Sequence, residues 1–485
     1  MAAAAAAGEL EETCGGAPKD YEGGSSTSSS RLSSSPSSSA ETLWGRHGSL
    51  VLIASVQALA MADQQVIPVN MTEVAAELGF SNAERDERLG GDVAIAFFAT
   101  GAVTSFIAGR LADVLPRVPL IAGLAVVGGS ASLANSRIAI FEQLIACRAL
   151  AGIALGGILP TMYSVVGDLY APEQRPQVAA FITMLAGAGP VLGQTLAGFL
   201  GPAFGWRVPF AILGVMAVAS GMLVFWLVAE PARGEKDGAE DGVTSPAAGM
   251  GSLRHLLSTP TVLLVFGQAS TGCVPWAVIL TFLTDFLAVD GGLGVERATL
   301  TTLSFSGGCI LGIVAGGHAG RDLYARDPRA LPALMAATTL CGLLPMLGLL
   351  SLPGCAWASA WMYPVLAFIG GSLVTITVAN AKAILLNTSE ASARGVAFGI
   401  LNITDDLGKG LAPAGISRLV GLLGRKAAFM VGASFFAPCA VFCGLMSLTI
   451  AADATTLRAS GKDRWSPVRS ADTASEERVC RLEVA

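Results

Sequence analysis

Apolar stretches of about 20 residues recur along the chain from Trp44 onward. At about 1.5 Å per residue in a helix, each is long enough to cross a hydrocarbon core of about 30 Å. Twelve are read, at residues 49–69, 91–112, 118–136, 139–167, 177–201, 207–229, 260–286, 297–320, 330–352, 358–386, 396–422 and 427–451. The pattern predicts an all-α integral membrane protein with twelve transmembrane helices. Between the sixth and seventh stretches lies a run rich in Gly, Glu and Asp. Residues 1–43 combine an alanine run with eleven serines between Ser25 and Ser39, and hold no apolar block able to pack. They predict a disordered tail. No basic segment precedes the alanines, and Glu9, Glu11, Glu12, Asp20 and Glu22 argue against a transit peptide, so the first helix is expected to direct insertion. The layout is then a tail (1–43), six helices (44–230), a linker (231–258), six helices (259–452) and a second tail (453–485).

Composition narrows the class further. Of 485 residues, 53% are hydrophobic and 14% charged, against about 25% charged in soluble proteins. Lys and Arg number 30 against 36 Asp and Glu, and no basic stripe offers to neutralise phosphates, which excludes a nucleic-acid partner. The 58 glycines follow no collagen period and suit a helix bundle whose backbones approach closely. The nine cysteines form no CxxC; Cys439 and Cys443 share one helix face and read as buried apolar residues. His47, His255 and His318 are scattered, and neither a zinc-protease motif, a nucleophile elbow nor a Walker loop occurs. Enzyme chemistry, a bound metal or cofactor, and an ATP-driven pump are therefore not expected.

Basic residues set the orientation, because Lys and Arg near helix ends stay on the cytoplasmic side. Arg117, Arg175, Arg233, Lys236, Arg254, Arg321, Arg326, Arg329 and Arg394 fall on loops that share a side with both tails, which places both termini in the cytoplasm. The outer loop 70–90 is acidic and predicts a short amphipathic helix. Its Asn70-Met-Thr72 fits a glycosylation sequon that abuts the membrane. Trp206, Trp226, Trp357 and Trp361 lie near helix ends and read as interface anchors.

The halves repeat. A shift of 219 residues places Arg175 on Arg394, Gly189 on Gly408, Gly205 on Gly424, Arg207 on Lys426 and Phe210 on Phe429. Parallel repeats about an axis along the membrane normal are how many secondary transporters build a central site.

After the second helix the chain reads Gly109-Arg-Leu-Ala-Asp113-Val-Leu-Pro-Arg117. This resembles the cytoplasmic loop signature of the major facilitator superfamily, with Val114, Pro116 and Val118 departing from it. The fourth helix carries Arg148-x-x-x-Gly152-x-x-x-Gly156-Gly157 and ends in Asp168-Leu-Tyr-Ala-Pro-Glu173-Gln-Arg175; the fifth carries Gly189-Pro190-x-x-Gly193. These segments occur in the helix order of that superfamily. Together with Asp63, Gly205-Trp-Arg and Glu230-Pro-Ala-Arg-Gly, they are similar to its spinster-like branch over about residues 48–234. The resemblance implies two pseudo-symmetric six-helix lobes and an inner gate built from Gly109, Asp113, Arg117, Asp168, Glu173, Arg175 and Arg394. It also implies a helix bend at Gly189, Pro190 and Gly193, where the lobes rock. The implied cargo is a lysophospholipid or a sphingosine-type lipid, moved with protons. Gln64 stands where the branch has Arg, and Leu155 where it has Glu.

Charges within apolar helices are costly, about 2.5–3.5 kcal/mol each on insertion scales, and mark candidate sites. Asp63 lies about 21 Å from the inner end of its helix, and Arg148 about 13 Å from the outer end of the fourth, so their depths agree within about one turn. They are expected to pair, with the carboxylate binding a proton or yielding to substrate; a permanent buried pair is the alternative. Asp405 and Lys409, at i and i+4, can pair on the eleventh helix, leaving Asp406 as a spare carboxylate, either a second proton site or a partner for Arg or Lys on a neighbouring helix. Lys382, near the inner end of the tenth helix beside Asn380, either meets an anionic head group or snorkels to the interface. The expected function is alternating-access transport by a monomer in the bilayer, of a lysolipid or sphingosine-type lipid with protons. A polar organic anion or sugar is the alternative cargo, and a receptor that does not transport is the alternative class.

Overall fold

The computed structural model describes residues 39–170, 174–231, 256–355, 357–389 and 394–459. Most of the expected linker, Glu173, and the greater part of both expected tails lie outside these residues. Among the described residues, twelve long helices form. The first half holds α1 (Ser39–Asp63), α2 (Asn82–Glu84, continuing through wide π turns at Arg85–Asp92 into Val93–Val114), α3 (Arg117–Asn135), α4 (Phe141–Leu169), α5 (Arg175–Phe204) and α6 (Arg207–Leu227). The second half holds α7 (Pro260–Ala277, Val278–Phe282 and Leu283–Val289), α8 (Gly294–Arg326) and α9 (Ala330–Ser351). It continues with α10 (Met362–Val374 and Ile376–Thr388), α11 (Arg394–Leu423) and α12 (Arg425–Ser434 and Phe436–Ala459).

Eleven of the twelve are long and apolar enough to cross a membrane. The exception is α11, thirty residues long, whose middle carries Asp405, Asp406 and Lys409. Its length matches its neighbours; its charges set it apart.

Several boundaries differ from the hydropathy reading, and those of the first two helices have a local reason. The first stretch breaks at Gln64–Gln65 and resumes as a short turn, Val66–Val69. The second helix starts nine residues earlier than expected, at Asn82 rather than 91. Ser81 and Glu84 form a reciprocal cap there, and the buried charges Arg85 and Asp86 are compensated by ion pairs that hydropathy does not register. The expected amphipathic segment is the helix Met71–Glu77. At the other end, α12 runs to Ala459, beyond the expected lobe limit of 452.

Contacts sort the helix ends onto two sides. On the side where α1 begins, the Tyr170 hydroxyl donates to the Arg46 carbonyl, Arg117 reaches Asp168 and Glu230, and the Thr261 amide donates to Asp453. This is the terminal side; the opposite one is the far side. On the far side the repeat becomes visible as structure. Gly205 and Gly424 both adopt positive φ, 90° and 80°, just before α6 and α12. Arg207 donates to the Ile138 carbonyl beyond α3, and its counterpart Lys426 donates to the Ser351 and Pro353 carbonyls at the end of α9. Phe210 and Phe429 are both fully buried.

Trp206 is a correction. It is buried, with its indole N–H donating to Glu77 at 2.7 Å, so it locks α6 to the Met71–Glu77 helix and does not anchor the interface. Trp226, Trp357 and Trp361 are exposed.

Candidate functional site

The first charged pair sits inside the first half. Arg148, on α4, places Nη1 2.8 Å from Asp63 Oδ2 at the end of α1, and the Ser132 hydroxyl of α3 donates to Asp63 Oδ1 at 2.6 Å. The guanidinium lies over the Phe210 ring, 4.9 Å from its centroid. Three helices and an aromatic face thus converge on one carboxylate. Arg148 is only 2% exposed and Asp63 6%. Beside Asp63 is a space of about 20 Å³, enough for one water. On its other flank Arg148 lines a second cavity of about 40 Å³ with Gln64, Leu89, Phe97, Phe98 and Thr281, residues drawn from both halves. Its Nε and Nη2 have no acceptor among the described residues.

The second charged group lies in the other half. Lys409 Nζ is 2.6 Å from Asp405 Oδ2, and the Cys273 thiol of α7 lies 3.8 Å from Asp405 Oδ1. Asp405 and Lys382 line a cavity of about 140 Å³ with Gln268, Trp276, Thr339 and Thr377. Lys382 is close enough to feel the charges of Asp405 and Lys409, and has no hydrogen-bond or ion-pair partner among the described residues. Asp406 is half-buried, feels Lys409 and Asp405, and likewise has no partner among the described residues. Asn380 is occupied elsewhere: its amide donates to the Gly316 and Ile376 carbonyls, tying α10 to α8.

The residues expected at the inner gate divide. Arg117 meets Asp168 and also Glu230, whose Oε1 lies 3.0 Å from Nε; its Nη2 donates to the Pro231 carbonyl at 2.9 Å. The backbone amides of Arg117 and Val118 donate to Glu230 as well. Burial alone would raise the Glu230 carboxyl, but these amides and the guanidinium hold it below the ordinary carboxylate range. The clamp joins α3, α4 and the end of α6 within the first half. Gly109 faces open space, so packing does not demand a glycine there. Asp113 lies on α2, and Arg175 and Arg394 open α5 and α11; their side chains fall outside the description. At the expected bend, α5 continues through Pro190, and side chains added at Gly189 and Gly193 would collide with the Ala58 and Ala62 carbonyls of α1.

Sequence reasoning missed the far-side network. Arg425, at the start of α12, lies 3.0 Å from Asp86 and 2.6 Å from Asp285, and also reaches Asp290. Asp285 accepts from the Thr72 amide at 3.0 Å and its hydroxyl at 2.5 Å, and Arg85 lies 3.8 Å away. Asp86, Arg85 and Thr72 belong to the first half, Asp285 and Arg425 to the second. The network closes the far side by joining the halves. One signal was legible: Asp285 is a lone charge in the seventh apolar stretch, and such a charge calls for a partner.

Two bundled halves, pseudo-equivalent contacts at α6 and α12, and eleven helices long and apolar enough to cross a membrane define a multi-pass membrane protein. The chain belongs to the Major Facilitator Superfamily, which it matches over residues 53–413. Among relatives, it is 26% identical over 245 residues to an uncharacterized MFS-type transporter of Bacillus subtilis, covering 50% of this chain and 55% of that protein. It is 25% identical over 287 residues to a purine ribonucleoside efflux pump of Shigella dysenteriae, covering 57% and 68%. The chain thus spans about half to two thirds of these relatives. Its fold resembles a bacterial homolog of the human lysosomal transporter Spinster in an inward-facing, unoccupied conformation, with TM-score 0.73 and 19% identity over 87% of this chain and 99% of that one.

Proposed function

We propose that the protein is a proton-coupled secondary carrier that moves a lysophospholipid or sphingosine-type lipid by alternating access, working as a monomer with both termini cytoplasmic. In that orientation the closed far side faces outward and the conformation is inward-facing. The observation that carries the reading is the 140 Å³ cavity of the second half, where Trp276, Val374, Phe436 and Leu401 supply apolar wall and Lys382 supplies a cation without a partner among the described residues. An amphiphile with an anionic head would use both. Gln268, Thr339 and Thr377 in the same wall favour a second reading, a polar solute such as the nucleosides named for the Shigella relative.

Gating follows from the geometry. Rocking about the α2–α11 and α5–α8 crossings, where Gly410 meets Phe98 and Gly198 meets Thr299, would break the Asp86–Arg425 contact and open the far side. Asp113, Glu173, Arg175 and Arg394 are proposed to form the opposing latch on the terminal side.

The test is uptake into proteoliposomes of labelled lysophosphatidylglycerol, adenosine and a sugar, with and without an imposed pH gradient. Gradient-dependent accumulation of the lysolipid, resistant to albumin extraction, supports the reading. Lysolipid uptake equal to that of empty vesicles overturns it, and accumulation of adenosine or sugar instead selects the polar cargo.

A further inference from the structure

We infer that the second-half cavity reads the charge of its cargo: Lys382 takes a singly negative head group while Trp276 and Phe436 receive the chain, so the site prefers a phosphodiester lysolipid to a cationic sphingosine-type base. The inference rests on the proposed lipid transport and chooses between its two cargoes.

The charges that line the cavity are Lys382 and Asp405. Asp405 is already answered, because Lys409 on the same helix holds its Oδ2 at 2.6 Å. Its Oδ1 has the Cys273 thiol 3.8 Å away, a weak donor. Asp406, the next residue, is turned about 100° around α11 and does not line the cavity. Lys382 comes from α10, is exposed, and has no ion-pair partner among the described residues. The Asp405–Lys409 pair is neutral as a unit, so the cavity presents one unanswered positive charge. The Thr339 and Thr377 hydroxyls bond to each other at 2.6 Å, which leaves the Lys382 ammonium the strongest donor in the wall.

This balance sorts head groups. A phosphodiester carries a single negative charge and cancels that of Lys382. A sphingosine-type base brings a second cation beside Lys382, and to reach a carboxylate it has to displace Lys409 from Asp405. That exchange leaves Lys409 without its counter-ion in a partly desolvated site.

The cavity is also graded along the membrane normal. Counting about 1.5 Å per residue from Pro260, Thr388 and Asp453 on the terminal side, the backbones of Lys382 and Gln268 stand at about 9 and 12 Å, and those of Val374, Trp276 and Phe436 at about 21–25 Å. The cation therefore lies toward the terminal side and the aromatic wall toward the far side. An amphiphile fits with its head at Lys382 and its chain directed at Trp276.

The test uses the full chain in nanodiscs of zwitterionic lipid, with lysophosphatidylglycerol and sphingosine carrying brominated chains as probes and thermal melting as the control for folding. Bromine quenches tryptophan on contact, and the signal lost in Trp276→Phe identifies that ring. Native protein is expected to bind lysophosphatidylglycerol at least tenfold more tightly than sphingosine, with quenching of Trp276. Lys382→Gln should lose more than tenfold of the lysophosphatidylglycerol affinity, Lys382→Arg should keep it, and Lys382→Glu should invert the preference, which a merely structural lysine would not do. Where Lys382→Glu fails to fold, the Gln and Arg variants decide. Equal lysophosphatidylglycerol affinity in native protein and a well-folded Lys382→Gln, or tighter binding of sphingosine by native protein, overturns the inference. Charge-selective binding without lysolipid uptake would defeat the carrier reading alone, and uptake that Lys382→Gln leaves unchanged would defeat this inference alone.

Discussion

Arg425 and Asp86 approach to 3.0 Å although they begin α12 and α2, helices in opposite halves of the chain. Asp86 is buried and Arg425 half-buried, and Asp285 and Asp290 share the same guanidinium. A lone arginine thus ties three carboxylates, one of them across the interface that has to part. Arg425→Gln is expected to shift the protein toward far-side opening and to lower its melting temperature, because Asp86 and Asp285 keep their charge with only Arg85 left to answer it. Spin-label distances between Asn82 and Gly291, with native cysteines replaced, should lengthen or broaden in the variant; an unchanged distribution would sink the idea.

The buried Asp63–Arg148 pair in the first half makes a sharper energetic prediction. Removing one member of a buried ion pair costs about 3–5 kcal/mol, whereas removing both is often nearly neutral. Asp63→Asn and Arg148→Met should each destabilise strongly, and Asp63→Leu combined with Arg148→Met should recover much of the loss. A double-mutant cycle on thermal or denaturant unfolding in detergent measures this. Additive losses would refute the coupling.

The Glu230 clamp predicts a pH dependence. A carboxyl whose pKa is lowered on folding stabilises fully above its unfolded value, about 4.3, and loses that contribution as pH falls through the lower folded value. Native protein should therefore melt above Glu230→Gln by a constant margin from pH 6 to 8, and the margin should shrink below about pH 4. A margin that grows on acidification would contradict the clamp.

Close helix contact gives a steric prediction. A methyl group at Gly193 would meet backbone of α1 at Ala62, which has little freedom to yield. Gly193→Ala should cost about 1–3 kcal/mol. Gly109→Ala, facing open space, should not lower stability and makes the matched control in thermal melting.

Asn70 is expected to remain unglycosylated in any secretory host. Its side chain is buried and donates to the Ala197 carbonyl at 3.2 Å, while the Thr72 hydroxyl is committed to Asp285. Endoglycosidase treatment should leave the mobility of the native protein unchanged and equal to that of Asn70→Gln.

Helix number, type and approximate span were legible because a bilayer imposes one requirement, an apolar run of about 20 residues, that every helix but the charged α11 satisfies by itself. The misread boundary at the second helix fell where this rule is suspended. Arg85 and Asp86 enter the bundle already paired, so their polarity carried no information about depth.

The sequence alone also determined the repeat, because Gly205, Gly424, Arg207 and Lys426 each meet a local backbone or end-of-helix demand. It even determined the Asp63–Arg148 pair, since two lone opposite charges at equal depth have few other partners. Only the tertiary structure decided the rest. That Arg425 closes the far side, that Glu230 rather than a residue of the other half answers Arg117, and that Asp406 is left over while Asp405 is not, all depend on which faces of which helices meet. Rotating a helix by 100° exchanges neighbours without altering its hydropathy, so partner choice is set by packing between helices and not by any single stretch of chain.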